Sequence, residues 1–280
     1  HAANIGTDLF ELPAGALALA AGYEYRRESG RSNQDSLQAA VENRQATVYA
    51  GTVAVDEAYV ALPIPLLAEV VGAQLLELSL AGRWSDYDPF GRTSNFKAGF
   101  RWKPVDSLLL RGNHAQGFRA PVVSELYFPQ TIALADPALD PCNAANRPNA
   151  VQRANCIADG VPGGAYDAES VVFSTVAGGT PGLLPETATS ATAGLVWSPS
   201  ALPDFNLAFD WYRFRIDDAI APIDTSELLR YCANAAVPEA CARTTRTVTG
   251  ELLQVDVRVL NSGRLEVEGV DGVGLGVAPV

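Results

Sequence analysis

The sequence from Leu76 to Trp84 reads LELSLAGRW, so apolar and polar side chains alternate one by one. The stretch from Phe96 to Pro104, FKAGFRWKP, shows the same alternation. Successive side chains of a β-strand point to opposite faces of its sheet, so a period of two predicts strands with one apolar and one polar face. Because the pattern recurs in residues 192–197 and 206–211, the chain is predicted to be all-β and antiparallel.

The alternation predicts about nine strands along the chain. They are placed at about residues 8–12, 16–29, 54–64, 74–87, 92–103, 108–117, 186–198, 205–217 and 264–277. Several exceed ten residues, whereas strands of soluble sheets usually have about five or six and a strand that crosses a bilayer needs about nine to eleven. Strand length therefore favours a transmembrane β-barrel. The last strand fits least well, because Asp271 shares the parity of the apolar residues Val273, Leu275 and Val277.

The connections between these strands differ in length at the two ends of the predicted sheet. The short ones are 13–15, 65–73, 104–107 and 199–204; the long ones are about 30–53, 118–185 and 218–263; the brief connection at 88–91 is the exception. Short periplasmic turns and long extracellular loops are typical of outer-membrane barrels. Within the loops, a short helix is predicted at 226–236 and an additional hairpin at 251–258.

Large aromatic residues lie on the predicted apolar faces, mostly near strand ends. They are Tyr23, Tyr25, Trp84, Phe100, Trp102, Trp197, Phe209 and Trp211. Such rings form girdles at the headgroup level of a membrane barrel. The alternative is a secreted soluble β-sandwich, a glycan-binding protein or hydrolase, whose apolar faces pack on each other. In that case Leu78, Phe100, Trp197 and Phe209 converge on one dry interior.

Composition limits the class of protein. The 280 residues include 32 acidic and 20 basic ones, a formal net charge of −12, which argues against a nucleic-acid partner. With 48% hydrophobic and 19% charged residues the chain is too apolar for disorder. No segment reaches the roughly 18 apolar residues of a membrane helix. Because the chain opens with His1 and contains no methionine, we expect it to be an internal or processed piece of a longer polypeptide.

Four cysteines fall in the two longest predicted loops. Neither spacing is the two-residue separation of a zinc knuckle or redox motif, and the chain has only two histidines to complete a metal site. Two local disulfides, Cys142 with Cys156 and Cys232 with Cys241, are predicted, which favours a compartment outside the cytoplasm. The alternative is four free thiols in an intracellular protein.

Candidate catalytic residues are few. His114 occupies an even position of its strand, which predicts a place on the apolar face near the rim. Asp217 and Asp218 are adjacent, so they point to opposite faces if the strand continues through them. The segment 136–140 has no calcium-loop spacing. No catalytic residue, cofactor or metal site is therefore predicted, and the chain is not expected to be an enzyme.

Two sets of polar residues are interpreted structurally. Arg119 is expected to fix a turn by bonding to backbone carbonyls. The polar positions of the strands are expected to face a water-filled lumen, and no ligand-binding residue is assigned among them. They are Glu24, Arg26, Glu77, Arg83, Lys97, Arg101, Lys103, Arg111 and Asn113.

Several motifs resemble one family in their order along the chain. FKAGFRWKP leads into LLLRG at 108–112, then GFRAP at 117–121 and ELY at 125–127. Further motifs are LPETATS at 184–190, GLVW at 194–197, FDWY at 209–212, IDDAI at 216–220 and LNSGRL at 260–265. Together they resemble the barrel of TonB-dependent outer-membrane receptors, from about residue 8 to residue 271.

The resemblance implies a Gram-negative outer-membrane protein whose complete barrel has 22 strands and an N-terminal plug. The chain is expected to be a partial barrel domain, residues 1–280, without the plug. Such receptors bind a scarce nutrient (a siderophore, haem, cobalamin, oligosaccharide or peptide) and import it with energy from the TonB complex. The expected partners are TonB, through the N-terminal region, the nutrient ligand and membrane lipid. A passive porin-like barrel shares the strand pattern and remains the alternative.

Overall fold

The computed structural model describes residues 1–33, 48–168, 172–202 and 205–275. Nine long strands form one sheet in the order β1-β2-β3-β4-β5-β6-β9-β10-β13, and every neighbouring pair is antiparallel. The strands are β1 (Ala2–Leu12), β2 (Gly15–Asn33), β3 (Val48–Val70), β4 (Ala73–Tyr87), β5 (Gly91–Val105), β6 (Leu108–Arg119), β9 (Glu186–Trp197), β10 (Asn206–Ala221) and β13 (Leu260–Leu275). The predicted number of strands and their antiparallel order are confirmed.

The sheet has an apolar face and a polar face, because directly opposed residues of antiparallel strands share a side. Leu78 is opposite Phe100 on the apolar face, which also carries all eight aromatic residues predicted for it. Phe100, Trp197 and Phe209 are 41%, 42% and 46% exposed, and Leu78 is half-buried. These side chains do not converge on a dry interior, which excludes the sandwich arrangement for them.

Two tryptophans mark the height of the apolar face. Trp102 is opposite Leu76, and Trp84 lies eight positions further along β4. At about 3.4 Å per residue the two levels are about 27 Å apart along the strand, and a tilt of about 35–45° reduces this to a height of roughly 19–22 Å, which places each ring just inside one edge of the roughly 25 Å apolar band of an outer-membrane barrel. The spacing fits an aromatic girdle at each edge of the band.

Several strands extend beyond their predicted ends. β1 begins at Ala2, and β3 continues past Pro63 and Pro65 to Val70. A shift of register between Pro65 and Leu67 lets the strand pass these prolines, so the predicted turn at 65–73 is reduced to Val71 and Gly72. Parts of the predicted loop 30–53, turn 199–204 and last strand lie outside the described residues, namely 34–47, 203–204 and 276–280.

The register of β13 settles the face of its residues. Asp271 is opposite Asp210, and Val273 is opposite Ala208, so both lie on the polar face. Val270 is opposite Trp211 on the apolar face. The polar parity of Asp271 is therefore consistent with the sheet, and Val273 departs from the alternation.

The two longest connections fold together into what we call the loop module, residues 120–168, 172–185 and 222–259. Its strands are β7 (Thr131–Ala135), β8 (Phe173–Ala177), β11 (Thr244–Arg246) and β12 (Leu252–Asp256), in the order β11-β12-β8-β7. Its helices are α1 (Val123–Tyr127), α2 (Ala150–Ala158), α3 (Thr225–Ala235) and α4 (Pro238–Cys241), with 3-10 turns at Pro137–Leu139, Ala144–Asn146 and Pro162–Gly164. The predicted helix at 226–236 is α3.

The predicted hairpin at 251–258 is only partly correct. It contributes β12, whose hairpin partner is β11, at residues outside the predicted range. On its other edge β12 pairs in parallel with β8, which belongs to the preceding loop. This parallel pairing joins the two loops, and a sequence pattern confined to one loop does not contain it.

The loop module has its own core. Phe173, Leu228, Leu229, Leu252 and Val255 are almost fully buried together, and burial of each such side chain is worth about 1.5–3 kcal/mol. A second cluster surrounds the disulfide of Cys142 and Cys156. A third joins the module to the sheet: it comprises Val53, Val55, Tyr87, Leu126 and Leu183, with Phe118 and Val259 packed against them. The module is thus a packed structure seated on one end of the sheet.

Candidate functional site

A cavity of about 370 Å³ lies where the polar face of the sheet meets the loop module. Its polar lining includes Arg26, Glu28, Glu57, Arg83 and Arg119. The aromatic ring of Tyr87 closes one side and stacks on Phe90 at 4.6 Å, with Phe118 edge-on at 5.8 Å. We call it the junction cavity.

The charges of the junction cavity are paired within its walls. Glu57 is buried, accepts a 2.6 Å hydrogen bond from the Ser85 hydroxyl and lies 3.6 Å from the guanidinium of Arg83. Arg26 forms ion pairs with Glu24 at 3.5 Å and Glu28 at 3.1 Å. The side chain of Arg83 is half exposed, so it can exchange part of this pairing for a ligand. These groups, with the rings, suit binding of a polar solute.

Arg119 connects three elements at the edge of the junction cavity. Its guanidinium donates to Glu186 at 2.7 and 2.8 Å and to Glu125 at 3.0 and 3.1 Å. Glu125 also accepts from the backbone N–H of Val122 at the start of α1, and Glu186 accepts from the backbone N–H of Ile220 in β10. The expectation that Arg119 bonds backbone carbonyls was wrong: in the described structure it binds two carboxylates.

Helix α1 packs on a part of the polar face where two glycines leave the backbone uncovered. Gly30 is directly opposite Gly51 on β2 and β3. The ring of Tyr127 occupies the place that a side chain on Gly51 would need, and a methyl of Val123 lies 3.1 Å from the Cβ position of Gly30. Because these two glycines have no side chains, helix α1 at the start of the long loop packs directly against the backbone of β2 and β3.

Further down the polar face, charged residues of neighbouring strands pair with each other. Arg101 lies 3.0 Å from Glu77, and Arg111 binds Asp210 at 2.6 Å. All nine residues predicted to share this face do so in the cross-strand register. The polar face is therefore a charged wall.

A buried ion cluster holds the two loops of the module together. The Arg246 guanidinium binds Asp140 at 2.6 Å and Asp159 at 2.6 Å, and all three side chains are at most 7% exposed. Burial pushes the pKa of Arg246 down, but the two carboxylates outweigh it and raise that pKa. Burial, with the nearby negative charge of Asp140, also raises the pKa of Tyr166. Sequence reasoning missed this cluster, since its members lie 87 and 106 residues apart.

Both predicted disulfides are present, Cys142–Cys156 with Cα atoms 5.8 Å apart and Cys232–Cys241 with Cα atoms 4.8 Å apart. Asp159 lies close to the second pair. Because those sulfurs are bonded to each other, this group does not offer two thiolate ligands to a metal.

The candidate catalytic residues are dispersed. His114 lies on the apolar face, with its ring centroid 5.6 Å from that of Phe96. It is in the middle of β6 and not near the rim of the sheet, where it was predicted. Asp217 binds Arg215 and Arg264, both at 2.7 Å. Asp218 has a left-handed φ of 58° and interrupts the register of β10, so the regular strand assumed for the two aspartates does not continue there. Asp136 caps a 3-10 turn through Ala138.

The long antiparallel sheet, the aromatic residues on its apolar face and the charged residues on its opposite face define part of an outer-membrane-type β-barrel. The family model described as TonB dependent receptor-like, beta-barrel matches residues 2–276, and the chain belongs to this family. Its members are β-barrels of the Gram-negative outer membrane. The described residues contain no helix that is long and apolar enough to cross a membrane. No curated protein matches the sequence.

Solved structures resemble the fold of the chain at low sequence identity. One is a mutant of the ferric enterobactin receptor PfeA of Pseudomonas aeruginosa in complex with enterobactin, with a TM-score of 0.58, 14% identity, and 97% of this chain and 32% of that chain covered. Another is the siderophore receptor PirA of Acinetobacter baumannii, with a TM-score of 0.55, 17% identity and coverages of 98% and 33%. The structure of the RagAB peptide transporter has a TM-score of 0.52 and 11% identity, and the match covers 100% of this chain and 27% of that chain. The chain thus spans about a third of the length of these receptors.

Proposed function

We propose that the complete protein is a TonB-dependent outer-membrane receptor that imports a scarce nutrient. Residues 1–280 are its partial barrel domain, with the apolar face against lipid and the polar face towards the lumen. The loop module stands outside the cell, and the short turns lie in the periplasm. The chain performs no covalent chemistry in this proposal.

The observation that carries the proposal is the position of the junction cavity. It lies between the loop module and the polar face, so a ligand captured from outside by the module enters directly onto the lumen wall. Arginines, carboxylates and aromatic rings line it, and all of these can bind a polar solute by hydrogen bonds and stacking. In the proposed receptor, a plug encoded outside this chain closes the lumen beneath it and is moved by TonB.

Ferric siderophores are the first ligand class to test. The PfeA and PirA structures are of siderophore receptors, and the RagAB structure is of a peptide transporter. A peptide is therefore the second class. The residues of the junction cavity fit both, since paired charges and aromatic rings serve either ligand.

The experiment is uptake by cells that carry the full-length reading frame. A deletion strain, the complemented strain and a complemented strain without TonB are given radiolabelled ferric siderophores or labelled peptides in iron-poor or amino-acid-poor medium. We expect uptake only in the complemented strain with TonB. Uptake that persists without TonB would indicate a passive pore, and no binding or uptake of any nutrient class would refute the receptor.

A further inference from the structure

We propose that the polar face carries a second binding site, an oxyanion subsite formed by Lys97, Arg101 and Arg111. It would take a carboxylate or phosphate group, and it rests on the proposed function only in that the polar face lines the lumen. The subsite lies in a cleft of about 580 Å³ nearer the short-turn end, separate from the junction cavity.

The floor of this cleft is bare backbone. Gly99 lies on the polar face opposite Ser79 and Asn113. A Cβ on Gly99 would be 2.8 Å from the Ser79 hydroxyl oxygen and 3.2 Å from Oδ1 of Asn113, so a side chain there would displace one of them. The glycine therefore allows the Ser79 hydroxyl and the Asn113 amide to lie close to the backbone of β5 between the cations.

Two arginines occupy directly opposed positions beside Gly99. Arg101 is directly opposite Arg111 in the register of β5 and β6, an arrangement that costs free energy when both carry the same charge. Each has a carboxylate on its far side, Glu77 or Asp210, and both arginine side chains stay exposed, by 61% and 47%. A guanidinium has five N–H donors, and these ion pairs use only some of them. An anion between the arginines would relieve their repulsion.

Two further groups in the cleft lack ion-pair or hydrogen-bond partners among the described residues. Lys97, on the same face two residues before Gly99, has no ion-pair or hydrogen-bond partner within the part of the chain that the structure describes. Oδ1 of Asn113 is buried without a hydrogen-bond partner. Rotation of this amide exchanges its oxygen for an NH₂ donor. An oxyanion at this point would give the ammonium a counter-ion and the amide a partner.

The charge balance also favours an anion. Three cationic side chains, Lys97, Arg101 and Arg111, face two carboxylates, Glu77 and Asp210, in the cleft. This local positive excess occurs in a chain with a formal net charge of −12. Low-dielectric walls around a narrow aqueous space focus such a field and raise the local concentration of anions.

Two sources can supply the oxyanion that this subsite binds. The oxyanion is either a carboxylate side chain of the plug or a dissolved anion, including an acidic group of the transported solute. The same complete receptor, purified in detergent, distinguishes them in two measurements. The first compares Lys97→Gln with Lys103→Gln, which removes the same charge from the same face of β5 at a lysine that already pairs with Asp106 at 3.0 Å.

The first measurement is the melting temperature of the complete receptor as inorganic phosphate replaces chloride at constant ionic strength. For a free-anion site, phosphate raises the melting temperature of the wild type and of Lys103→Gln. The Lys97→Gln variant should then need at least fivefold more phosphate for half of the effect. Equal responses of all three proteins would show unspecific salt stabilisation and overturn a free-anion site.

The second measurement is zero-length crosslinking with a carbodiimide. The reagent activates a carboxylate as an O-acylisourea, the Lys97 amine attacks the acyl carbon, an amide forms and the urea leaves with the carboxylate oxygen. If the plug supplies the anion, mass spectrometry finds Lys97 joined to a plug Asp or Glu, and phosphate has little effect on melting. The subsite is refuted if Lys97 forms no plug crosslink and the phosphate response does not depend on it. Either result is independent of nutrient uptake, so this proposal and the proposed function can fail separately.

Discussion

Arg111 on β6 and Asp210 on β10 form a two-hydrogen-bond ion pair across the intervening strand β9. Nε of Arg111 lies 3.0 Å from Oδ1 of Asp210, and Nη2 lies 2.6 Å from Oδ2. Gly194 is opposite both residues, and the Asp210 carboxylate occupies the place that a side chain on Gly194 would need. The missing Cβ therefore allows a bridge that ties three strands together on the polar face.

Gly194→Ala should break this bridge. The added methyl group collides with the carboxylate of Asp210, and overpacking with loss of a partly exposed ion pair costs roughly 1–2 kcal/mol of stability. The measurement is the urea midpoint of the complete receptor in detergent. Gly117→Ala on the same face of β6 is the control, since its added Cβ meets only the Ala188 Cβ at 3.9 Å. Equal midpoints for the two variants would contradict this account.

Arg119→Ala should release α1 from the sheet. It removes the shared partner of Glu125 and Glu186, and Glu186, whose side chain is 13% exposed, is left without its cation. Because the arginine itself is 43% exposed, we expect a loss of about 2 kcal/mol rather than the larger cost of a fully buried pair. Hydrogen exchange of the α1 amides in the complete receptor should accelerate roughly 30-fold.

The control for Arg119 is Arg92→Ala, which breaks an ion pair with Asp86 whose arginine side chain is 87% exposed. This change should alter exchange by less than about twofold, because exposed pairs contribute little. If α1 exchanges at the wild-type rate in Arg119→Ala, Arg119 does not hold the helix.

The sheet could be predicted from sequence because each strand has one apolar and one polar face. The alternation of Leu76, Leu78 and Leu80 with Glu77 and Ser79 predicts one apolar and one polar face, and the register confirms that the two sets lie on opposite faces. Strand ends were harder to predict. Pro65 begins the predicted turn at 65–73, yet a shift of register between Pro65 and Leu67 lets β3 continue to Val70.

The loop module could not be predicted as a unit, because its contacts join distant parts of the chain. β8 and β12 pair over about 80 residues, and Asp140 and Arg246 meet over 106. Short-range patterns reveal α3, with Asp224 accepting hydrogen bonds from the first turn of the helix, and they reveal the two cysteine pairs. They do not reveal which side of β12 faces the preceding loop.

Arg246→Met should destabilise the loop module strongly. It leaves Asp140 and Asp159 buried without their shared cation, and loss of one partner from a buried ion cluster costs about 3–5 kcal/mol. Under non-reducing conditions, thermolysin should cleave the module of the variant in the complete receptor much faster than that of the wild type. Arg230→Met, at an exposed position of α3, is the matched control and should be cleaved at the wild-type rate. Resistance of both variants would show that the two loops stay joined without the cluster.

Stability of the module should fall in acid through Asp256. Burial raises the pKa of this carboxyl, but hydrogen bonds from Arg258 outweigh burial and lower it. A lowered folded-state pKa means that the stabilisation is complete above the ordinary pKa of about 4 and is lost as the pH falls through the folded value. The pair is partly exposed, so the contribution is about 1 kcal/mol, a roughly fivefold change in the population of the open form.

The change to measure is the hydrogen-exchange protection of β12 in the complete receptor, corrected for intrinsic rates, at pH 7 and at pH 3. Asp256→Asn should reduce protection roughly fivefold at pH 7, and its difference from the wild type should shrink at pH 3, below the ordinary carboxyl pKa of about 4. Asp167→Asn, at an exposed position of the same module, should leave β12 unchanged at both pH values. A difference between Asp256→Asn and wild type that stays constant from pH 7 to pH 3 would mean that shape, rather than charge, supports this strand.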